Sequence, residues 1–493
     1  MVKEHRQKNI DEVNFIKNVD IILVSLSSKN EGGAIWKQIQ RNFPSVGILS
    51  LAAYVREFGF NPYVIDGTLE GLSVNEICER ISEAVKKNEQ IKYIGISTTT
   101  YTYYESQEIA TFCKQHFNNI STLMGGPHAT ALPEHVLRES QIDIVVRGEG
   151  ETQLLSLLQN VAIENIKGIS YVEKGAIIHN PDSPRLKSIE DLPMPAYDLV
   201  PMEKSKPFIG QFVGLKKVVP STLVLATRGC VGNCTFCSKC FLPGVTYKSP
   251  EKLFKEILFL KNTYGFRHIV FYDDTFTSNK KLINEFCDIL MANGNPITWT
   301  CSSRTDCVDL PMLNKMKKAG CKQILYGVES FNDDVLKSIN KITDVENNVN
   351  AIKWTKQVGM IVRVAIMIGN PADTKDTIEN NIKVLRRLQP DMIQVSITTP
   401  IPGSLMFNQG VENGKILIWD WSKYNGDYLV IEHPNLTEKE LRKYYIKTYY
   451  KFYFHYKYIL KKMFSLTTYT QIRVLMSGLL CLIPIFFTKK KHT

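Results

Sequence analysis

Three cysteines stand at C-x-x-x-C-x-x-C spacing in Arg228-Gly-Cys230-Val-Gly-Asn-Cys234-Thr-Phe-Cys237. Three thiolates spaced in this way can hold three irons of a cubane cluster and leave the fourth iron without a protein ligand. Chemistry at a metal requires such an open position, whereas structural and electron-transfer sites are normally closed. Gly229 and Gly232 let the backbone wrap closely around the metal group. The competing reading is a zinc site completed by Cys240 or a histidine. Zinc sites usually pair two C-x-x-C elements, and the sequence has no second pair, so Cys240 reads as a bystander thiol. Cys78, Cys113, Cys287, Cys301, Cys307, Cys321 and Cys481 show no paired metal spacing and read as buried free thiols. Cys301 and Cys307 flank a strand end, where a catalytic thiol would also fit.

The elements that position the cysteine loop form a strand–helix series beginning near Thr222. Apolar runs predict strands at Leu223–Thr227, His268–Asp273, Thr298–Ser302, Gln323–Gly327, Val362–Ile368 and Met392–Thr398. Amphipathic segments between them, such as Pro250–Tyr264, Lys280–Asn293, Leu310–Ala319, Asp344–Val358 and Thr374–Leu388, predict helices. Six βα units make a partial, laterally open TIM-like (βα)6 barrel over 221–405. In such barrels active-site groups sit at the carboxyl ends of the strands, and the cysteine loop follows the first strand directly.

A second α/β region precedes it. Strands are predicted at Ile21–Ser25, Tyr63–Asp66, Tyr93–Ser97, Thr122–Gly125 and Ile142–Val146. Helices are predicted at Val46–Phe58, Val74–Lys87, Tyr103–Phe117, near Glu134–Arg138, and at Glu151–Gln159. Five alternating strands suit a flavodoxin-like (Rossmann-type) doubly wound domain over 20–165, which binds ligands beyond the carboxyl ends of its strands. Those ends carry Ser25–Ser28, Ser97–Thr100 and Gly125–His128, all suited to contacts with a ligand's edge or equally to plain turn chemistry. Residues 166–220 read as a hairpin, Ile169–Tyr171 and Ala176–His179, followed by a Pro-rich linker with Pro181, Pro184, Pro193, Pro195 and Pro201.

Length, at 493 residues, predicts roughly three domains. Hydrophobic residues at 44% and charged residues at 22% exclude a disordered or collagen-like chain, and no apolar run reaches bilayer-spanning length. The net charge of +11 is confined to the last segment: from Leu441 onward there are eleven basic residues and no acidic ones. The polar stretch Met1–Asp20 has no apolar signal core, which predicts a cytoplasmic, reducing location. Residues 406–493 read as a helical, basic and aromatic region ending in the apolar run Val474–Phe487. Three roles fit it: a helical lid on the barrel, contact with an anionic membrane surface through 441–493, or nucleic-acid binding.

Phe236 before the last cysteine, together with the spacing, resembles the signature of the radical S-adenosylmethionine superfamily. The resemblance continues through Phe271-Tyr-Asp-Asp274-Thr-Phe276, Ser303-Arg304-Thr-Asp306, Tyr326-Gly-Val-Glu329-Ser330, Gly369-Asn-Pro371 and Thr399-Pro-Ile-Pro402-Gly403 at successive strand ends. It implies a [4Fe–4S] cluster on Cys230, Cys234 and Cys237. The amino and carboxylate groups of S-adenosylmethionine then chelate the fourth iron. Reduction generates a 5′-deoxyadenosyl radical, with the electron coming from an external donor such as flavodoxin or ferredoxin. Arg304 suits the cofactor carboxylate by forked hydrogen bonding and Glu329 the ribose or amine, with Asp274 a further candidate. For each of these the structural alternative is an ion pair within the barrel.

The first domain resembles the cobalamin-binding class of these enzymes, through Pro44-Ser-Val-Gly47 to Arg56, Gly125-Gly-Pro-His128-Ala-Thr130 and Val146-Arg-Gly148-Glu149-Gly150-Glu151. That implies a corrin whose nucleotide tail is lined by Ser97, Thr98, Gly125 and Gly126, with His128 near it. The Asp-x-His-x-x-Gly cobalt-ligand motif is missing, since Ser25–Trp36 contains no His, as in many members of that class. A scaffold holding no corrin is the alternative for this domain. The implied reaction is methyl transfer to a weakly activated carbon of a small biosynthetic intermediate. Radical cyclisation or rearrangement, a non-catalytic iron–sulfur protein and a transfer-RNA thiomethylating enzyme are the competing readings. The last needs a second cysteine cluster, which Cys78 and Cys113 do not supply.

Overall fold

The computed structural model describes residues 18–26, 42–205, 219–238 and 244–465, with side chains up to residue 460. Ser27, Ser28, the segment to Trp36, Cys240, Cys481 and the run Val474–Phe487 lie outside the described residues. The chain forms two compact units.

The first unit holds a seven-stranded sheet in the order β2-β1-β3-β4-β5-β6-β7. Its strands are β1 Ile21–Ser25, β2 Pro62–Asp66, β3 Tyr93–Ser97, β4 Ser121–Gly125, β5 Ile144–Val146, β6 Ile169–Glu173 and β7 Ala176–His179. β1 to β5 are parallel, in the 2-1-3-4-5 order of a flavodoxin-like fold, and the order reverses between β1 and β3. Each strand core is apolar and buried, as a sheet covered on both faces demands. Helices match local sequence signals. Val74–Lys87 starts at a Ser73/Glu76 capping box and buries Val74, Ile77, Cys78, Ile81 and Ala84, a spacing of three and four along one face.

The hairpin that the sequence assigned to the linker instead extends this sheet. β6 pairs antiparallel with β5, and β7 with β6, across a turn whose Lys174 and Gly175 both take positive φ. The first unit also takes in chain as far as Pro184, and the segment 193–201. β5 would otherwise end the sheet with unpaired N–H and C=O groups, and the hairpin satisfies them.

The second unit carries six parallel strands in chain order: β8 Ser221–Val224, β11 His268–Phe271, β12 Thr298–Ser303, β13 Cys321–Glu329, β14 Ile361–Ile368 and β15 Met392–Ile397. The short pair β9 Thr227–Arg228 and β10 Thr246–Tyr247 brackets the cysteine loop. Helices follow the strands as predicted, as in Pro250–Tyr264, whose Ser249 caps Lys252 N–H and whose Gly265 closes it in the left-handed conformation. Under the strand ends, Phe271 stacks on Phe276 at 4.2 Å and both meet Trp299 and Phe286. Phe271 and Phe276 therefore pack the core and face no ligand.

β8 and β15 are the open edges of the six-stranded sheet. The helix Glu438–Tyr453 lies along β15 and answers its free backbone groups with tyrosines. The Tyr449 hydroxyl accepts from Val395 N–H at 2.9 Å and donates to Val395 C=O at 3.3 Å. The Tyr453 hydroxyl does the same at Ile393, at 3.1 and 3.2 Å, and Tyr458 reaches Asp391 C=O at 2.9 Å. The spacing is commensurate, because four helical residues advance about 6 Å and two strand residues about 6.6 Å. Tyr449→Phe and Tyr453→Phe should each leave a buried strand N–H and C=O without a partner. Each should cost about 1–3 kcal/mol in thermal or denaturant unfolding, whereas Tyr456→Phe, at the exposed Tyr456, should cost almost nothing.

Candidate functional site

The cysteine loop leaves β8 at the carboxyl end of the sheet and is held from four directions. Asp273, after β11, accepts hydrogen bonds from Ala226 N–H at 2.9 Å, Thr227 N–H at 2.5 Å and Thr227 Oγ1 at 2.7 Å. Arg185 donates to Arg228 C=O and Gly244 C=O, clamping both ends of the loop. On the far side Thr235 N–H bonds Ile339 C=O and Asn340 Nδ2 bonds Asn233 C=O. The loop after β15 supplies Met406 N–H to Thr235 C=O and Ile401 N–H to Phe236 C=O, and Ser238 Oγ donates to Pro402 C=O. Phe236 is thus tied to the sixth strand by its carbonyl.

Gly229 has φ +91°, and a Cβ there would fall 2.3 Å from Gly244 O and 2.8 Å from Arg185 Nη2. Gly232 donates its N–H to Cys230 Sγ at 3.3 Å, and a Cβ on it would meet Arg304 Nη1 at 2.6 Å. Gly229 is required by a backbone contact and by its backbone conformation, whereas a side chain at Gly232 would displace the Arg304 guanidinium. Cys230 Sγ also meets Thr275 Oγ1 at 3.3 Å.

Desolvation, then the Asp274 carboxylate and the other two thiols, push the Cys237 thiol up to about 12. Burial raises Cys234, while Lys341 and Arg304 oppose that rise. Three neighbouring thiolates therefore need cationic partners to coexist, which the irons of a bound cluster would supply. Among the described residues no three His, Cys, Asp or Glu side chains converge as one metal ion would require. A cubane needs no such convergence, since each thiolate takes a different corner. The three thiols of the loop fit the cluster, and Cys240, which the zinc reading would need, lies outside the described residues.

The structure brings Arg304 and Glu329 to this loop, but each is engaged within the barrel. Arg304 Nε and Nη2 bond the Asp306 carboxylate at 3.0 and 2.7 Å, and Nη2 also bonds Ile342 C=O at 2.5 Å. Only Nη1, against Gly232, is turned to the loop. Glu329 sits at φ +61°, a strained value for a side-chain-bearing residue, and pairs with the buried Lys341 at 3.0 Å. The intra-barrel ion pairs named as the alternative are formed in both cases. Asp274 is exposed, and its carboxylate is felt at Cys237.

Lys341, Asp273 and Arg185 were not legible as site residues. Lys341 follows Glu329 by twelve residues with no motif, and Arg185 lies in the Pro-rich segment. Asp273 is the buried neighbour of the aspartate that was chosen, its Oδ2 buried without a hydrogen-bond partner. Burial pushes its carboxyl up to about 7, against its hydrogen bonds from Thr227. Between about pH 4 and pH 7 the folded state keeps this proton while the unfolded chain, with an ordinary aspartate, has lost it. Stability therefore falls as pH rises through that window, by about 4 kcal/mol in all. Asp273→Asn should remove that slope. Urea unfolding of both proteins across the window checks it, and parallel curves would refute it.

In the first unit the carboxyl ends of β3 and β4 lie side by side. Ser97 and Gly125 are partly exposed, while Thr98 is fully buried, donating its N–H to Gly125 C=O at 2.9 Å and accepting from Ser106 Oγ at 2.9 Å. Gly126 has φ +94°, and a Cβ would fall 2.5 Å from Thr98 O. The close approach expected for a ligand at Gly126 is thus made to the protein's own backbone. His128 is fully buried, with Nδ1 3.3 Å from Thr100 Oγ1 and its ring 4.5 Å from Tyr103. Burial holds its pKa down at about 3, and it presents no accessible nitrogen to a ligand. At the end of β5, Gly148 has φ +77° and a Cβ there would meet nothing within 4 Å.

Asp66, which sequence reasoning passed over, organises the ends of β1 and β2. It accepts from Ser25 Oγ at 2.7 Å, Ser45 N–H at 2.7 Å and Leu69 N–H at 3.0 Å, and its position at a parallel strand end was the available signal. The strand ends at Ser97, Gly125 and Gly148 are small-residued and partly exposed, with open space over Gly148, which fits a bulky planar cofactor. Among the described cysteines, Cys78, Cys113, Cys287, Cys301 and Cys321 are buried free thiols and Cys307 is half-buried.

Residues 224–385 match the radical SAM superfamily and residues 34–158 the B12 binding domain. An uncharacterized methyltransferase of Pyrococcus horikoshii is 32% identical over 88% of this chain and 92% of its own length. The chain belongs to the cobalamin-binding radical S-adenosylmethionine family. The anaerobic magnesium-protoporphyrin IX monomethyl ester cyclase of Cereibacter sphaeroides is 26% identical over 87% of this chain and 70% of the cyclase. The fold is shared with OxsB, a cobalamin-dependent S-adenosylmethionine radical enzyme solved with aqua-cobalamin and S-adenosylmethionine. Its TM-score is 0.72 at 17% identity, covering 97% of this chain and 72% of that one. Family membership makes this radical SAM chain an enzyme. It brings a [4Fe–4S] cluster and S-adenosylmethionine to the barrel, and cobalamin to the first domain. No helix among the described residues is long and apolar enough to cross a membrane.

Proposed function

We propose that this radical SAM enzyme transfers a methyl group to a weakly activated carbon of a small biosynthetic intermediate. The observation that carries the reading is the likeness to an uncharacterized methyltransferase over 88% of this chain, spanning both the cobalamin domain and the barrel. When bound, the cluster and S-adenosylmethionine supply radical chemistry and cobalamin supplies the methyl group. Cys230, Cys234 and Cys237 hold three irons. Arg304 Nη1 and Lys341 bring positive charge beside Cys234, suited to a cofactor carboxylate, while Asp306 and Glu329 hold those cations in place. Exposed Asp274 is suited to the cofactor's amine. Ser97, Gly125 and Gly148 present a surface on which a corrin tail can lie. Thr98, Gly126 and His128 act beneath it as packing and take no cofactor. An external one-electron donor of the flavodoxin or ferredoxin type and a cytoplasmic setting complete the reading.

The likeness to an anaerobic cyclase supports a second reading, cyclisation without methyl transfer. Anaerobic reconstitution with iron, sulfide and cobalamin, followed by incubation with S-adenosylmethionine and dithionite as one-electron reductant, decides between them. Methyl transfer predicts a retained corrin absorbance and release of both 5′-deoxyadenosine and S-adenosylhomocysteine. Cyclisation predicts 5′-deoxyadenosine alone. Absence of a retained corrin would overturn the methyl-transfer reading and leave the cluster chemistry standing.

A further inference from the structure

We propose that the outward face of residues 443–460 docks on an anionic lipid bilayer. This goes beyond the methyl-transfer reading and does not rest on it. The helix Glu438–Tyr453 buries Leu441, Thr448, Tyr449 and Phe452 against the barrel. Its opposite side carries exposed Lys443, Tyr450 and Lys451, and the chain continues through exposed Phe454 and Tyr456. Lys443, Tyr450 and Phe454 are spaced seven and four apart, so they share one helical face. The next helix, Tyr456–Ser465, adds exposed Lys457, Ile459 and Leu460. A monomeric protein seldom leaves so many large apolar groups together at its surface.

Charge identifies the occupant. Between Leu441 and Leu460 the charged residues are Arg442, Lys443, Lys447, Lys451 and Lys457, with no acidic residue among them, and Lys443, Lys451 and Lys457 are exposed. Glu440 is already engaged by Thr437 and Lys375. A surface of lysines, tyrosines and aliphatic side chains matches a bilayer interface. There, tyrosines sit at headgroup depth, aliphatic groups enter the acyl boundary and lysines meet anionic headgroups. Nucleic acid fits less well. Tyr450 and Phe454 stack on each other at 5.1 Å and 24°, which uses one face of each, and Ile459 and Leu460 offer neither a stacking plane nor a donor.

The test is flotation of the full chain, without added cofactors, on vesicles of phosphatidylcholine alone or mixed with phosphatidylglycerol. The wild type should float with the anionic vesicles only, and salt should weaken it. Lys451→Gln/Lys457→Gln should reduce partitioning roughly 25-fold, about fivefold per lysine. Phe454→Ser/Ile459→Ser/Leu460→Ser should reduce it more than tenfold. Both variants change exposed positions, and an unaltered melting temperature shows that they are folded. A wild type that stays with the soluble fraction would overturn the proposal. So would folded variants that float as the wild type does, or variants that lose affinity for a single-stranded oligonucleotide while their flotation is unchanged.

Discussion

Cys234→Ser protein should emerge from anaerobic reconstitution with little of the iron bound by the wild type. Its cleavage of S-adenosylmethionine should be at least about a thousandfold slower, because the reaction is carried by the cofactor and not by side chains. Serine is nearly isosteric, so the fold should survive. What is lost is a soft, readily ionised donor, since a hydroxyl is hard and holds its proton at neutral pH. Lys341 and Arg304 are disposed to favour the anion at this position, and a neutral hydroxyl makes no use of them. The comparison is Cys301→Ser or Cys78→Ser, at buried thiols away from the loop, which should retain their iron. Iron and sulfide analysis with the visible spectrum checks both. Normal iron content and turnover in Cys234→Ser would remove the cluster assignment.

Gly229→Ala should have the second-largest effect, although it changes no ligand. The added Cβ would lie 2.3 Å from the carbonyl oxygen of Gly244, a backbone atom that cannot swing aside, and φ is +91°. Strain of this kind costs about 1–3 kcal/mol, and the clash adds to it. Separating Gly229 from Gly244 to relieve it would disturb the Arg185 clamp on Arg228 and Gly244, next to Cys230. Iron content should fall to less than about half, with a lowered melting temperature. Gly148→Ala is the control, since it also has positive φ but meets nothing within 4 Å. It should pay only the conformational term, about 1–2 kcal/mol, and keep its iron. Equal iron content in the two variants would show that the close approach at Gly229 does not matter.

The parts of this enzyme legible in its sequence are those whose cause is local. Strand periodicity places β1 and β3 at their observed residues, and Ser73 with Glu76 marks the start of Val74–Lys87. The three cysteines are legible because a cluster's size is matched by spacing within one loop. The remainder depends on pairing between distant residues. Nothing in Ile169–His179 says that this hairpin pairs with β5, because antiparallel pairing at an edge leaves the same alternation as a free hairpin. Arg304 and Glu329 read as ligand groups by type and strand end. Their engagement by Asp306 and Lys341 follows from rotamers and from a backbone turn at Glu329 that only the packed barrel imposes. His128 lies in a Gly-Pro-His turn that suggests exposure, yet the helix beginning at Tyr103 covers it.

The row of phenol hydroxyls along β15 has a consequence for solubility. A half-open barrel presents a flank on which a strand from a neighbouring molecule could be templated, and polymerisation could then spread from copy to copy. Here that flank is occupied in cis, at an effective concentration no neighbour can match. A chain cut before Glu438 should therefore precipitate on expression before any loss of cofactor binding becomes measurable.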